Sequence, residues 1–331
     1  MPPSDAELMT LAGIAYGHPA DIPDYLDRDA LTHGVWQAVW IARAEMVPVN
    51  FAYLTRNLRD GGYAVAIRGT YPNPFSPAYW EDGNQDSPFG PMAEWPSGVP
   101  SDPGGPDPQV SGGTWAGFSG LLALQDAAGT TLAQALDRLP ADAPLSVTGH
   151  SLGGTLAPVL ALWLAGRDPG RIADVTTFAG MTPGNGAFAA LFGPGTALAG
   201  RVRRVYNTLD SVPYGWDDVL ATRGFFQPAP QGGVLLDLAL HATAWRLRDY
   251  GYTAIGTPVP LPGRVEPPSI ACTPIAFVIE TLHQHMPDTY LGLLGAPPLP
   301  FRLGLGAVVA PIDHPVAALL AAHRVPPAYL R

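Results

Sequence analysis

The sequence predicts an α/β fold in which a mostly parallel central sheet is flanked by helices. Short apolar runs with strand character alternate along the chain with longer runs of helical spacing, and this alternation is typical of parallel sheets. The most informative stretch is Gly149-His150-Ser151-Leu152-Gly153, which follows an apolar run at 145–148 and precedes a helix-forming run. A strand, a sharp glycine-bounded turn and a helix in this order support the same fold class.

The amino-terminal part of the chain is predicted to contain two helices and a hairpin. Ser4 and Glu7 form a capping-box pattern ahead of apolar residues at helical spacing. A second helix is predicted over 35–46, where apolar and tryptophan side chains would form its inner face. The strands of the hairpin are predicted at 50–56 and 63–68, on either side of an Asp-Gly-Gly turn.

Regular structure is predicted again from residue 119 onward. In chain order it consists of a helix over 119–139, a strand over 145–149, a helix from 152 to about 165, and strands over 172–178, 202–206 and 275–280. No internal repeat and no linker divides the chain into two cores. We therefore expect a single domain over 1–331, with a proline-rich carboxyl-terminal extension at 292–331.

Residues 71–111 differ in composition from the rest of the chain. These 41 residues hold ten prolines and five glycines, and no periodicity fits them. Such a segment in a compact domain is usually a functional lid or a disordered linker, and its six aromatic residues favour a lid. Four of these residues are predicted to face the substrate: Tyr71, Trp80, Phe89 and Trp95.

Composition and charge limit the partners of the protein. The 331 residues are 47% hydrophobic, which is ample for a substantial core, and the formal net charge is −10. This charge argues against a nucleic-acid partner and against attachment to anionic membranes, so a neutral or weakly polar small molecule is expected. The sequence has no signal-peptide pattern and no apolar run long enough to span a membrane. We expect a cytoplasmic protein with at most transient contact with a lipid interface, or a secreted one if a leader has been removed.

Ser151 is the candidate nucleophile, because a serine on such a turn is exposed at the carboxyl end of a strand. It needs a base, an acid that orients the base, and N–H donors for an oxyanion. The amide of Leu152 is one candidate donor, and Thr70, which follows the strand predicted at 63–68, is the other. No metal or other cofactor is required, and Cys272 as the single cysteine excludes a thiolate metal cluster.

The base and the acid are less sharply defined by the residues themselves. Three aspartates that follow the strand at 202–206 are candidates for the acid: Asp210, Asp217 and Asp218. The base is expected downstream, where His283 and His285 form the only close pair of histidines and follow the strand predicted at 275–280. The alternative interpretation is a pair of solvent-exposed or metal-binding histidines, but no further metal ligands lie at a suitable spacing.

Taken together, these segments resemble the class 3 lipase family, the fungal-lipase-like branch of the α/β-hydrolases. The resemblance is carried by IRGT at 67–70, GHSLGG at 149–154, TFAGMTPGN at 177–185, NTLDSVP at 207–213 and HMPDTYL at 285–291. It implies that Thr70 supplies an oxyanion donor, and it selects Asp210 as the acid and His285 rather than His283 as the base. The chain departs from the family pattern at 113–118, where a usual histidine is absent, and the loop at 181–185 lacks a usual arginine.

The resemblance implies a serine hydrolase that cleaves acylglycerols or other esters of apolar acids through an acyl-enzyme. The same residues would serve a phospholipase, an acyltransferase or a thioesterase, so these activities stay open. A non-catalytic binding module of the same fold is disfavoured, because it would have no need for nucleophile, base, acid and oxyanion donors together.

Overall fold

A seven-stranded sheet forms the centre of the structure, a computed structural model that describes residues 2–43, 50–70, 84–96, 106–227, 229–266 and 273–303. Its strands are β1 (Trp36–Ile41), β2 (Ala52–Asn57), β3 (Tyr63–Ile67), β6 (Leu145–His150), β7 (Ile172–Phe178), β8 (Val202–Asn207) and β9 (Thr257–Leu261), in that spatial order. β2 pairs antiparallel with β1 and with β3, whereas β3, β6, β7, β8 and β9 pair parallel with one another in that order. The predicted mostly parallel sheet is confirmed. A separate two-stranded sheet joins β4 (Met92–Glu94) to β5 (Gln109–Ser111).

Helices flank the sheet. They are α1 (Asp5–Ile14), α2 (Ile22–Arg28), α3 (Gly112–Ala123), α4 (Leu132–Asp137), α5 (Leu152–Arg167), α6 (Gly186–Ala190), α7 (Gly233–Leu247), α8 (Thr273–His285) and α9 (Pro287–Leu293). α5 packs on β6 and β7, and α1 packs on β6. Every residue of β6 is buried, as expected for a central parallel strand covered on both faces. The Ser4–Glu7 capping box is present at the start of α1.

The helix predicted over 35–46 is wrong, because Trp36–Ile41 form strand β1. The register against β2 shifts between Ala38 and Trp40, which leaves Val39 as the extra residue of a bulge. Burial still alternates along β1, because Gln37 and Val39 are exposed while Trp36 and Trp40 are buried. The two tryptophans lie four residues apart, a spacing that fits one face of a helix as well as one face of a strand.

The helix predicted over 119–139 is also wrong in its extent, since it is two helices. α3 begins earlier, where the Ser111 side chain accepts a hydrogen bond from the Thr114 amide. α3 and α4 are separated by a turn in which the Asp126 carboxylate accepts hydrogen bonds from the amides of Ala128 and Thr130. An aspartate that bonds to the backbone in this way competes with a continuing helix.

The strand predicted over 275–280 is wrong, because these residues lie in helix α8. Ala276, Glu280 and Gln284 are its buried residues, whereas Ile275, Val278 and Leu282 are exposed. The buried face of α8 thus carries two polar residues and the exposed face is apolar. This inverts the usual helical pattern and leaves an apolar run that resembles a strand.

The last strand of the sheet, β9, lies outside every predicted element. It contains Pro258 and Pro260, which lack the N–H that a central strand needs. β9 pairs only with β8, so it is an edge strand, and alternate residues direct their N–H groups away from the neighbour. Prolines at alternate positions are tolerated for this reason.

Candidate active site

Ser151 lies at the sharp turn between β6 and α5. Its φ is +59°, a conformation that costs a non-glycine residue on the order of 1–3 kcal/mol. The turn brings backbone segments together: a Cβ on Gly149 would lie 2.3 Å from the Gly153 carbonyl oxygen, and one on Gly153 would lie 2.2 Å from the carbonyl oxygen of Ile67. Glycine is therefore required on both sides of the serine, and the surrounding structure holds Ser151 in its strained conformation.

The structure brings Ser151, His285 and Asp210 together. The Nε2 atom of His285 lies 2.8 Å from the Ser151 Oγ, and its Nδ1 lies 2.8 Å from Asp210 Oδ2. An ionised carboxylate only accepts hydrogen bonds, so Nδ1 carries the hydrogen and Nε2 is free to accept the serine proton. This is the geometry that a serine nucleophile, its base and an orienting acid require.

Asp210 is fully buried and held by two further donors. Its Oδ1 accepts a hydrogen bond from the Val212 amide at 3.0 Å, and Oδ2 accepts one from the Tyr290 hydroxyl at 2.8 Å. Burial first, and then the charge of Asp210, raise the pKa of Tyr290 well above its ordinary value. The tyrosine consequently stays a donor to the carboxylate.

The alternative acids and His283 lie in other surroundings. Asp217 accepts a hydrogen bond from the Thr182 hydroxyl at 3.1 Å, and both Asp217 and Asp218 line a cavity with Leu247 of α7. His283 lies two residues before His285 on α8 and lines a different cavity together with Arg264 and Asp288. Among the described residues, His285 is the histidine whose ring nitrogens contact both Ser151 and Asp210.

The two candidate oxyanion donors lie next to the nucleophile. Leu152 is the first residue of α5, and the first amides of a helix have no partner within the helix. Thr70 follows β3, which pairs with β6 up to Gly149. A Cβ on Gly69 would lie 2.8 Å from the Ser151 Cβ, which shows how closely this loop approaches the serine. The Thr70 hydroxyl donates to Asp86 Oδ2 at 2.9 Å, a contact that sequence reasoning missed.

His150, which precedes Ser151, contacts the backbone of His285. Its Nε2 lies 2.8 Å from the His285 carbonyl oxygen, and its Nδ1 lies 2.8 Å from the Tyr16 hydroxyl. Burial, and next the nearby charge of His285, lower the pKa of His150 well below its ordinary value. The ring is therefore neutral and donates through Nε2. Sequence reasoning missed His150 and Tyr16, although His150 lies inside the diagnostic turn.

Two of the four aromatic residues predicted to face the substrate, Phe89 and Trp95, lie within the described residues. Tyr71 and Trp80 lie outside the described residues. Phe89 packs under the Arg246 guanidinium of α7, 4.0 Å from the ring centre. Trp95 is 7% exposed, and its ring packs against Phe118 and Phe188.

The predicted contact of Trp95 with the substrate is corrected by the structure. It shares a cavity with Leu162 and Trp163 near the carboxyl end of α5, whereas Ser151 precedes the amino end. The rise of a helix puts about 16 Å between those positions. Trp95 lies in the core because it directly follows strand β4 of the β4–β5 sheet. This sheet also corrects the prediction that the segment 71–111 has no regular structure.

Two further properties concern the described part of the chain. None of its helices is long and apolar enough to cross a membrane. Within those same residues, no cluster of three or more histidine, cysteine, aspartate or glutamate side chains is suited to hold a metal ion.

Comparison with known proteins places this site in a family. Residues 64–215 match the sequence profile of the family described as lipase (class 3). The chain carries the sequence pattern of the class 3 lipase family over these residues. It is accordingly a serine ester hydrolase. The predicted resemblance to this family is thereby confirmed. No curated protein sequence matches the chain significantly.

Solved structures share the fold. M37 lipase is 24% identical to this chain, with a TM-score of 0.70 over 88% of this chain and 93% of the other, which establishes the α/β-hydrolase fold. A triacylglycerol lipase described as having a serine protease triad is 17% identical, with a TM-score of 0.49 over 77% of this chain and 78% of the other. The Rhizomucor miehei triacylglyceride lipase is 16% identical, with a TM-score of 0.48 over the same shares, 77% and 78%.

Proposed function

We propose that this protein hydrolyses acylglycerols or other carboxylic esters of apolar acids, with Ser151 as nucleophile, His285 as base and Asp210 as orienting acid. The observation that carries the proposal is the pair of 2.8 Å contacts from the His285 ring to Ser151 Oγ and to Asp210 Oδ2. The strained turn at Ser151 supports it, because strain of this kind is typical of functional sites.

In the proposed first step, His285 Nε2 removes the Ser151 proton while Oγ attacks the ester carbonyl carbon. The negative charge on the carbonyl oxygen is stabilised by the amides of Thr70 and Leu152, and loss of one such donor typically costs about 2.7–4 kcal/mol in the barrier. The imidazolium, held in place by Asp210, then donates its proton to the departing alcohol, which leaves an acyl-serine.

Water completes the reaction by the same chemistry in reverse order. His285 removes a proton from a water molecule, whose oxygen attacks the acyl carbon, and the protonated ring returns the proton to Ser151 Oγ as the acid departs. The net charge of −10 favours a neutral acyl ester over an anionic phospholipid as substrate.

The test is hydrolysis of p-nitrophenyl esters from acetate to palmitate by the wild-type protein and by Ser151→Ala. We expect the substitution to lower kcat by a factor on the order of 10⁶, because no other residue can carry the acyl group. His285→Ala should have a similar effect, whereas His283→Ala, the matched control two residues away, should keep most of the activity.

Two results would contradict the proposal. One is full activity of Ser151→Ala, and the other is a folded wild-type protein that hydrolyses none of the esters and does not react with a fluorophosphonate at Ser151. Transfer of the acyl group to an added alcohol or thiol faster than to water would instead favour the acyltransferase function.

A further inference from the structure

Two buried amide side chains connect the segment of Asp210 to that of His285. Asn207 ends β8, three residues before Asp210, and is fully buried; Gln284 precedes His285 and is 1% exposed. The Asn207 Nδ2 donates both of its hydrogens to Gln284, one to the backbone oxygen at 2.9 Å and one to Oε1 at 2.6 Å. We call Asn207 and Gln284 the amide pair.

On its other side, Asn207 organises the loop that carries Asp210. Its Oδ1 accepts a hydrogen bond from the Leu209 amide at 3.1 Å, and its carbonyl oxygen accepts one from the Asp210 amide at 3.0 Å. Its own amide donates to the hydroxyl of Tyr290, which in turn donates to Asp210. Because Oδ1 faces an N–H group and Nδ2 faces two oxygens, the side-chain amide can have only this orientation.

Gln284 is locked in the same manner. Its Nε2 donates to the Arg264 carbonyl at 2.6 Å and to Glu280 Oε1 at 2.7 Å, and both of these groups only accept. Glu280 is itself 3% exposed, and the same Oε1 accepts a hydrogen bond from the Glu266 amide at 2.9 Å. The Oε1 of Gln284 must therefore face Asn207.

The amide pair is also a tightly packed site. A Cβ on Gly263, in the segment after β9, would lie 2.2 Å from Asn207 Oδ1, so only glycine fits there. The opposite face of α8 is apolar and exposed. Glu280 and Gln284, the polar residues of its buried face, attach the helix that ends at His285 to its surroundings, together with the buried Ala276 and the contact of Phe277 with Phe226.

We propose that Asn207 and Gln284 are positioning residues that set the placement of the His285 ring relative to Asp210 and Ser151. This inference rests on the proposed function. His285 and Asp210 come from elements far apart in the sequence, and the amide pair joins the residue before His285 to the turn that presents Asp210. A misplacement of reacting groups by about 1 Å can lower a rate by about 100-fold.

Asn207→Asp separates this role from a purely structural one. Aspartate keeps the acceptor for the Leu209 amide and is equally suited to that turn, but its ionised form cannot donate to Gln284. We expect kcat for a short, soluble ester to fall about 100-fold while KM changes less than about threefold. If Asn207 has only a structural role, kcat should not change.

A pH profile gives an independent readout. In Asn207→Asp the introduced carboxyl faces two oxygens in a buried place, which favours its protonated form. Protonation restores one donor to Gln284, so the ratio of variant to wild-type kcat should rise as the pH is lowered from 8 to 6. A constant ratio would contradict the proposal.

Asn185→Asp is the matched control. Asn185 is also a buried asparagine whose Oδ1 accepts amide hydrogens, from Gln109 and Phe188, and whose Nδ2 donates to a carbonyl, that of Asp107. Asn185→Asp removes a buried N–H donor, as Asn207→Asp does, but it lies outside the proposed triad. The kcat of Asn185→Asp should therefore stay within about twofold of the wild type while its Tm falls.

A second variant covers the case in which Asn207→Asp does not fold. Gln284→Met keeps the length of the side chain, adds no charge and removes both Oε1 and Nε2, and it should lower kcat at least about tenfold. Unchanged kcat in folded Asn207→Asp or Gln284→Met, beside an active wild type, would overturn only the positioning role. An inactive, folded wild type would overturn the proposed function itself.

Discussion

The hydroxyl of Thr70 donates its single hydrogen to Asp86, so the structure gives this residue an anchor in addition to its backbone amide. If the hydroxyl acts by anchoring residue 70, Thr70→Val and Asp86→Ala should each lower kcat about tenfold, the value of a hydrogen bond to a charged group. The double variant should then lose no more than either single one, because both remove the same interaction.

The opposite result has a clear signature. A Thr70 hydroxyl that donates directly to the oxyanion would make Thr70→Val cost about 10²–10³-fold and Asp86→Ala much less. Steady-state kinetics of the three variants separates the two cases. Thr182→Val, which removes a second threonine–aspartate hydrogen bond, that to Asp217, is the control and should leave kcat nearly unchanged.

The buried ring of His150 should make stability depend on pH. Burial holds its pKa below the ordinary value, so the folded protein keeps the ring neutral where the unfolded chain protonates it, below about 6.5. The unfolded state then binds the extra proton, and the free energy of unfolding falls as the pH is lowered through that window. The contribution is at most about 1.4 kcal/mol per pH unit.

Urea unfolding of the wild type and of His150→Gln between pH 7 and 5 measures this effect. The variant should show a shallower decrease in unfolding free energy, although it is less stable at pH 7. His33→Gln, at an exposed histidine, should retain the wild-type slope. Parallel slopes for the wild type and His150→Gln would contradict this prediction, because they would show that the folded and unfolded states bind the proton at this position equally.

Two of the three glycines of helix α5 lie in opposite surroundings. A Cβ on Gly154 would lie 2.6 Å from the Phe178 carbonyl oxygen and 3.0 Å from Gly180 Cα, whereas a Cβ on Gly166 would have nothing within 4 Å. Gly154→Ala should therefore destabilise the protein by about 1–3 kcal/mol, since backbone must move. Gly166→Ala should stabilise it by about 0.5–1 kcal/mol, because alanine favours the helix.

Thermal unfolding of both variants tests this contrast within one helix. Ester hydrolysis adds a second readout: Gly154→Ala displaces the start of the helix behind Ser151 and should lower kcat, whereas Gly166→Ala should not. Equal Tm values for the two variants would mean that β7 and α5 can separate without cost.

The same helix shows what local sequence can predict. Ser151, Leu152 and the strands on either side follow from short-range signals, because the turn demands glycines and the parallel strands demand apolar residues. β1 and α8 could not be predicted in this way. In β1 the two buried tryptophans lie four residues apart, which fits a helix as well as a strand, and in α8 the buried positions are occupied by Glu280 and Gln284, whose partners are distant in the sequence.

Across the molecule, the site depends on parts of the chain outside the segment that matches the family profile. Three residues of the site lie outside residues 64–215: Tyr16, two residues after α1, His285 at the end of α8, and Tyr290 in α9. Contacts such as that of Tyr16 with His150 join residues more than a hundred positions apart, and no local pattern encodes them. The candidate catalytic residues could be predicted from the sequence, but the residues that support them could be found only from the three-dimensional structure.

The described residues of the segment at 71–111 include the β4–β5 sheet. The β4–β5 pairing continues to a hydrogen bond of 2.8 Å from the Trp95 amide to the Pro108 carbonyl, which joins the described residues on either side of 97–105. Trp95 itself fills the core between Phe118 and Phe188. A two-residue Asn-Gly turn in place of residues 97–105 therefore leaves these contacts intact.

If residues 97–105 help to cover the acyl chain, as the lid hypothesis holds, this replacement should change the preference among p-nitrophenyl esters of different chain length. Turnover of the acetate ester and the Tm should stay close to the wild-type values, because neither the triad nor the core is altered. Trp95→Ala is the complementary control: it should cost about 3–5 kcal/mol in stability without changing the preference. An unchanged chain-length profile in the loop replacement would exclude residues 97–105 from the lid.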